Sequence, residues 1–166
     1  ELATVFAKAG SDVTVGEALD QALPMYEADV SRVGTQRAKS HGVDFHFEEA
    51  AADWEDREYG VTVVTEGEDG TVSEYEATKA LVAVGREPVT DTVDLDAAGV
   101  ETDEDGFVPT DDRARTNVDH IFAVGDVAGE PMLAHEGMKA GEVAAEVIAG
   151  EPAALDQQAI PAAVFT

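Results

Sequence analysis

Two short apolar segments of the sequence each end on a glycine that is followed by a charged residue. The first is LVAVGR (81–86), which ends on Arg86, and the second is IFAVGDV (121–127), in which Asp126 follows Gly125. A glycine lets backbone approach a ligand closely because it has no Cβ, and an aspartate beside it can accept hydrogen bonds from sugar hydroxyls. One such ending alone favours a simple strand-terminal turn. Two endings, the second followed by a helix of small residues, favour a ligand site.

That helix is predicted over 134–149, starting at MLAH (132–135) and ending at Gly150. Its small and apolar residues are expected to share one face and to allow close approach to a sheet; they are Ala134, Gly137, Met138, Gly141, Ala144, Ala145 and Ile148. The first turn of a helix leaves backbone N–H groups free, and the aligned peptide dipoles attract negative charge there. Asp126 and these amides are therefore expected to hold two parts of one ligand.

The elements that position these residues follow from the apolar periodicity and the glycine stops. The pattern predicts helices over 1–9 and 27–41, the first with an apolar face of Leu2, Val5, Phe6 and Ala9. Strands are expected at 13–17, ending at Glu17, and at 43–47, with the loop ALDQALP between the first strand and the second helix. A polar stretch then runs through Trp54, and 60–66 and 72–77 form a small antiparallel meander around the GEDG turn.

Further along the chain, buried strands are predicted near 79–84 and at 120–124. The segment 87–116 is rich in loops and acidic residues, with a possible strand at GFVPT. The order strand, helix, strand with apolar strands argues for an α/β fold with a Rossmann-like parallel sheet and a small antiparallel meander. Ligands of such open sheets bind beyond the carboxyl ends of the parallel strands.

Charge and composition exclude several classes of function. Thirty-six acids face ten bases, for a formal net charge of −26, so neither nucleic acid nor an anionic membrane is expected as a partner. No apolar run approaches the ~20 residues that span a bilayer. The acids are dispersed among regular apolar segments, which favours a folded protein of halophilic type over an acidic disordered tail. This interpretation predicts loss of structure at low salt.

The chain has no cysteine, which excludes disulfides and thiolate chemistry within these residues, and its four histidines show no metal-ligand spacing. It opens ELATVFAKAG, with neither an initiator methionine nor a signal-peptide pattern. We therefore expect a cytoplasmic protein whose sequence here begins within a longer polypeptide.

Several motifs together identify a resemblance. The segment RTNVDHIFAVGDVAGEPMLAHEGMKAGEVAAEVIAGEP resembles the second FAD-binding segment of the flavin disulfide reductases, and of the dihydrolipoamide dehydrogenases in particular. ALVAVGREP resembles the crossover from the NAD domain to the FAD domain of these enzymes. VTVGEALDQALPMYEADV resembles the strand and loop that follow their glycine fingerprint, and IPAAVFT resembles the entry to their dimerisation domain. The resemblance covers essentially all 166 residues and is weakest from 48 to 80.

The resemblance implies a domain organisation and a set of site residues. Residues 1–86 correspond to an NAD-binding domain without its first strand and fingerprint, 87–155 to the returning FAD segment, and 156–166 to the start of the dimerisation domain. Asp126 matches the aspartate bonded to the FAD ribitol. The backbone of Met132, Leu133, Ala134 and His135 matches the stretch at the flavin pyrimidine edge. For NAD, the matching residues are Glu17 at the ribose hydroxyls, Ala51 at the adenine and Gly85 beside the dinucleotide.

The activity implied by the resemblance is oxidation of a protein-bound dihydrolipoyl group through a cysteine pair, with electrons passing through FAD to NAD⁺. The implied protein is a homodimer whose partner is the dihydrolipoyl-bearing acyltransferase of a 2-oxo acid dehydrogenase complex. No catalytic residue is expected in this chain, because the cysteine pair and a His–Glu pair lie outside it.

Two alternatives remain open. One is a glutathione- or mercuric-type reductase, although those that use NADPH are expected to carry basic residues where 17–23 reads EALDQAL. The other is a non-catalytic NAD-binding module, but such a module would not need the flavin-binding segment that IFAVGDV followed by MLAH resembles.

Overall fold

The computed structural model describes residues 1–166, which form two compact units. The first unit contains residues 1–83 and 163–166, and the second contains 84–162. Each has its own secondary structure and is described by itself. No helix in either unit combines the length and the apolar character needed to cross a bilayer.

The first unit opens with a strand–helix–strand arrangement. Helix α1 (Leu2–Lys8) precedes strand β1 (Val13–Glu17), and helix α2 (Ala28–Lys39) connects it to strand β2 (Val43–Phe47). The two strands pair in parallel, from Val13 opposite Val43 to Glu17 opposite Phe47. This confirms the predicted parallel α/β unit, in which β-branched and aromatic residues form the strands and a helix makes the crossover.

An antiparallel sheet of three strands completes the first unit. It contains β3 (Glu49–Arg57), β4 (Gly60–Gly67) and β5 (Val72–Ala77), with β4 in the centre. Strands β4 and β5 confirm the predicted meander, and the GEDG turn between them closes with a 2.9 Å bond from the Gly70 N–H to the Gly67 carbonyl. Strand β3 arises from the polar stretch that sequence periodicity did not assign, because its exposed side chains leave no alternation to read.

Two predicted strands are wrong. Residues 79–84 form no ladder, and Leu81, Val82 and Val84 are exposed. Around 120–124 only an isolated antiparallel bridge joins Arg115 to Phe122. An apolar run favours extended backbone, but a strand also needs a neighbouring strand to receive its hydrogen bonds, and neither segment has one in its unit.

Helix α1 forms as predicted, but its apolar face is not buried. Leu2, Val5 and Phe6 are exposed, whereas Thr4 is buried at 5% exposure. The inward side of this helix therefore carries a small hydroxyl residue, and its apolar stripe faces away from the rest of the unit.

The second unit consists mostly of turns around a small core. Its regular elements are α3 (Leu95–Ala98), a short 3₁₀ turn at Gly125–Ala128 and the long helix α4 (Ala134–Ile148). Val100, Val108 and Ala123 are buried together, and neighbouring side chains pack on them: Leu95, Val118, Ile121, Val127 and Ala128. The possible strand at GFVPT does not form; instead its Val108 joins this core.

Helix α4 confirms the predicted segment but not the predicted face. Its buried residues are Ala140, Val143, Ala144 and Val147, while Met138 and Ile148 are largely exposed. The prediction left out Val143 and Val147, which lie at i and i+4 and bury more apolar area than alanine or glycine, and of the predicted residues only Ala144 is buried.

Candidate functional site

The two glycine-ended segments meet through their charged residues. Nη1 of Arg86 donates a hydrogen bond to Oδ2 of Asp126 at 2.7 Å, which makes the two charges one ion pair. Both side chains are roughly half exposed, at 62% and 51%. The sequence prediction used Asp126 and did not assign a partner to Arg86. The sequence did contain a signal for this ion pair, because the two segments place charges of opposite sign at equivalent positions after their glycines.

Asp126 projects from a turn that the unit's core holds in place. Gly125 has φ +76°, a left-handed conformation that side chains other than glycine rarely adopt. On the other side of Asp126, the carbonyl of Val127 accepts a 2.9 Å hydrogen bond from the Val108 N–H, and the Val127 side chain packs on the core. The backbone on both sides of Asp126 is thus fixed.

The beginning of α4 lies directly against this turn. A Cβ built on Gly137 would lie 2.9 Å from the Cα of Gly125, closer than real Cβ contacts. The close approach expected of the small residues is therefore made by Gly137, against the Gly125 turn rather than against a sheet. Gly137 is needed because this contact leaves no room for a Cβ, whereas Gly125 is needed for its positive φ.

The amides at the start of α4 have no side-chain cap. Leu133, at the N-cap, is extended with φ −117° and ψ 132°, and its aliphatic side chain accepts no hydrogen bond. Ala134 and His135 in the first turn are exposed. Free N–H groups at a helix start, reinforced by the helix dipole, form a place for an electron-rich ligand atom.

An open cleft of about 420 Å³ adjoins the ion pair. Its lining consists of Arg86, Glu87, Pro88, Val89, Asp126, Val127 and Met132. Of the predicted FAD residues, Asp126 and Met132 line it directly, and Leu133, Ala134 and His135 follow Met132 in the chain. Gly85 adjoins Arg86, with φ +136° and open space where a Cβ would be.

The predicted residues of the first unit lie at the carboxyl end of β1. Glu17 ends that strand, and its Oε1 accepts a 3.1 Å hydrogen bond from the Leu19 N–H, which orients the carboxylate. Ala51 is exposed on β3 opposite Thr65. A Cβ on Gly16 would lie 4.0 Å from the carbonyl oxygen of Glu49, so the end of β1 and the start of β3 are neighbours.

A polar cluster beside this end of the sheet was missed by sequence reasoning. Oε2 of Glu49 accepts hydrogen bonds from the Thr65 and Tyr75 hydroxyls, each at 2.7 Å. These bonds lower the pKa of Glu49, whereas burial, and then the bond to Glu49, raises the pKa of Tyr75. His46 lies between Asp44, at 3.1 Å, and Glu49, at 3.7 Å. The cluster ties the three antiparallel strands to β2.

The chemistry of the cleft is that of binding. A carboxylate oxygen for hydroxyl groups and uncapped amides for a ring edge fit the flavin and ribitol of FAD. The lining contains no thiol or hydroxyl nucleophile. Its ionisable residues are Arg86, Glu87 and Asp126.

Comparison with known proteins agrees with this chemistry. The family model described as pyridine nucleotide-disulphide oxidoreductase matches residues 1–141. The whole chain is 61% identical to dihydrolipoyl dehydrogenase 2 of Haloarcula marismortui and 60% identical to the dihydrolipoyl dehydrogenase of Halobacterium salinarum. The chain spans about 35% of the length of these curated relatives.

Solved structures show the same fold. The flavoprotein disulfide reductase RclA from Escherichia coli matches with a TM-score of 0.82 at 27% identity, over 93% of this chain and 35% of that one. LpdA from Mycobacterium tuberculosis matches with a TM-score of 0.80 at 27% identity, over 93% and 33%. The NADH-bound water-forming NADH oxidase of Lactobacillus brevis matches with a TM-score of 0.75 at 26% identity, over 96% and 34%.

Proposed function

The chain belongs to the pyridine nucleotide-disulphide oxidoreductase family, and from this premise we propose that it supplies cofactor-binding parts of a dihydrolipoyl dehydrogenase. The observation that carries the proposal is the placement of Asp126 on a fixed turn against the uncapped start of α4. Relatives named dihydrolipoyl dehydrogenase, at 58–61% identity along the whole chain, support this activity over the glutathione- and mercuric-type alternatives.

In this proposal the second unit holds FAD. The Asp126 carboxylate accepts a hydrogen bond from a ribitol hydroxyl, and the backbone of Met132, Leu133, Ala134 and His135 faces the edge of the flavin ring. Bound FAD supplies the capacity to accept an electron pair and pass it to a nicotinamide. The positive end of α4 favours negative charge on the ring.

The first unit holds NAD. Glu17 accepts hydrogen bonds from the ribose hydroxyls at the carboxyl end of β1, where a carboxylate also repels a 2′-phosphate. Ala51 presents backbone to the adenine. NAD is therefore preferred over NADP.

The wider organisation follows from the same proposal. Residues 1–86 belong to the NAD-binding domain, 87–155 to the FAD-binding domain and 156–166 to the beginning of a dimerisation domain. The enzyme works as a cytoplasmic homodimer and takes its electrons from the dihydrolipoyl-bearing acyltransferase of a 2-oxo acid dehydrogenase complex.

The test uses the natural full-length polypeptide that carries these residues. We expect the purified protein to be yellow from bound flavin and to reduce NAD⁺ with dihydrolipoamide, with little activity on glutathione disulfide or Hg(II). D126A should lower the flavin content, because the ribitol loses its acceptor, while R32Q, at an exposed ion pair on α2, should not. A folded but colourless protein would favour the non-catalytic NAD-binding module.

Nucleotide preference tests the role of Glu17 separately. E17A removes the negative charge that repels a 2′-phosphate, and we expect the ratio of kcat/KM for NAD⁺ to that for NADP⁺ to fall about tenfold or more. An unchanged ratio, with flavin content also unchanged, would contradict the placement of Glu17 at the ribose.

A further inference from the structure

We propose that Arg86 is a positioning residue that orients the Asp126 carboxylate toward the ribitol of FAD. The cation at the end of 81–86 would then set the direction of the anion at the end of 121–127. This inference rests on the proposed flavin site and adds to it a residue for which the resemblance implied no role.

The ion pair engages only one of the two oxygens of the Asp126 carboxylate. Arg86 engages Oδ2 at 2.7 Å, a length typical of a charge-assisted hydrogen bond. Oδ1 is left as the oxygen that can accept from a ligand hydroxyl. The Asp126 side chain is half exposed, so without the guanidinium it could rotate into solvent even though its backbone is fixed. The ion pair thus selects one side-chain orientation.

The electrostatic setting makes this role specific to Arg86. The bases of the second unit are Arg86, Arg113, Arg115 and Lys139. Arg115 lies over the Phe122 ring at 5.9 Å, and Lys139 pairs with Glu142 at 3.7 Å. Among the residues that line the cleft, Arg86 is the cation, and Glu87 and Asp126 are the anions. Arg86 is therefore the lining cation that can pair with Asp126.

The same exposure limits what the pair does for folding. Exposed ion pairs contribute little to stability, because water solvates both charges and ordering the side chains costs entropy. A substitution of Arg86 should therefore leave the fold intact and change the binding of the cofactor. This separates positioning from a merely structural role.

The experiment is a double-mutant cycle for FAD affinity in the natural full-length polypeptide. Apoprotein of the wild type, R86Q, D126N and R86Q/D126N is titrated with FAD, and flavin fluorescence gives the dissociation constant. We expect R86Q to weaken binding about tenfold and D126N at least as much. The double variant should bind about as weakly as D126N alone, because Arg86 acts through Asp126.

Three further measurements make the cycle specific. R86K should restore part of the affinity, since lysine keeps the charge but lacks the planar fork. The visible circular dichroism of the bound flavin should change in R86Q in the same direction as in D126N. R32Q, in the exposed Arg32–Asp29 pair of 2.8 Å, is the matched control and should leave both the affinity and the spectrum unchanged.

The outcomes separate this inference from the proposed function. If R86Q leaves the affinity unchanged while D126N weakens it, or if the two losses multiply in the double variant, the positioning role is overturned and the flavin site stands. If the wild type binds no FAD, or D126N has no effect, the proposed flavin site falls and this inference falls with it. Should R86Q not fold, R86K decides: an affinity equal to that of the wild type would overturn an orienting role.

Discussion

The two units of the chain hold their candidate site residues by different means. In the first unit, Glu17 and Ala51 belong to strands whose ladders fix their positions. In the second unit, Asp126 belongs to a turn, and most of the surrounding chain is irregular. The first unit holds its site residues by repeated backbone hydrogen bonds between strands, and the second unit holds Asp126 by a few individual contacts.

Side chains that bond to backbone take the place of ladders in the second unit. Oδ1 of Asp103 accepts from the N–H groups of Asp105 and Phe107, and Oδ1 of Asp111 accepts from those of Arg113 and Arg115. Asn117 accepts from the Glu101 N–H and donates to the Gly99 carbonyl. Each of these loops therefore depends on the side chain of one residue, whereas a strand is held by backbone hydrogen bonds from many residues. The second unit should be the more sensitive to single substitutions.

Salt should produce the largest effect and should distinguish the units. Both are rich in acids, but the bases of the second unit are only Arg86, Arg113, Arg115 and Lys139. In dilute buffer the carboxylates repel one another, whereas at 1 M salt the Debye length is ~3 Å. We expect circular dichroism to show loss of structure as KCl is diluted from molar concentration. Amide hydrogen exchange should show the second unit losing protection first. Equal stability in dilute and molar KCl would contradict the halophilic interpretation.

The contact between Gly137 and Gly125 should be the most sensitive single point of the second unit. G137A places a Cβ 2.9 Å from the Cα of Gly125, so backbone must move, at a cost of about 1–3 kcal/mol in unfolding free energy. Flavin affinity should fall as well, because α4 and Asp126 separate. Denaturant unfolding in molar KCl measures the first effect, and FAD titration measures the second.

Gly141 provides the matched control in the same helix. A Cβ there meets nothing within 4 Å, and alanine is favoured over glycine in a helix interior by about 1 kcal/mol. G141A should therefore stabilise the protein and leave flavin binding unchanged. If both variants shifted stability in the same direction, the close approach of the helix to the turn would not be what constrains Gly137.

Loss of the Asp111 side chain should have a smaller effect. D111A leaves the N–H groups of Arg113 and Arg115 without their shared acceptor, and we expect a loss of about 1–2 kcal/mol in unfolding free energy. The neighbouring Asp112, which is exposed, is the control position. Denaturant unfolding of D111A and D112A compares the two. An equal, small change in both would show that this loop does not depend on one carboxylate.

The smallest expected effect lies in the first unit and depends on pH. Hydrogen bonds from Thr65 and Tyr75 hold the pKa of Glu49 below its ordinary value of 4.5. A lowered folded-state pKa contributes stability above pH 4.5, and that stability is lost as pH falls through the lower folded-state value. E49Q should therefore remove this part of the acid dependence, measured as denaturation midpoints from pH 7 to pH 3 in molar KCl. E74Q, at an exposed position on β5, should retain the acid dependence of the wild type.

The accuracy of the sequence predictions follows the same division between the units. Strands β1 and β2, the helix between them and the GEDG turn were predicted because each has a local pattern and a glycine or turn residue at its end. Strand β3 was missed, since its pairing with β4 is invisible in its own polar sequence. The predicted strands at 79–84 and 120–124 failed for the converse reason: an apolar run does not show whether a partner strand lies beside it.

For the candidate sites, the sequence alone identified residue types at the ends of elements. Asp126 after Gly125, the helix start at 132–135 and Glu17 at the end of β1 are local features, set by which dihedral angles and hydrogen bonds neighbouring residues permit. Only the tertiary structure decided that Arg86 pairs with Asp126 and that Gly137 touches Gly125. It also decided that Val143 and Val147, together with two alanines, form the buried face of α4. Those contacts join residues distant along the chain or depend on what packs against them, and no local pattern contains that information.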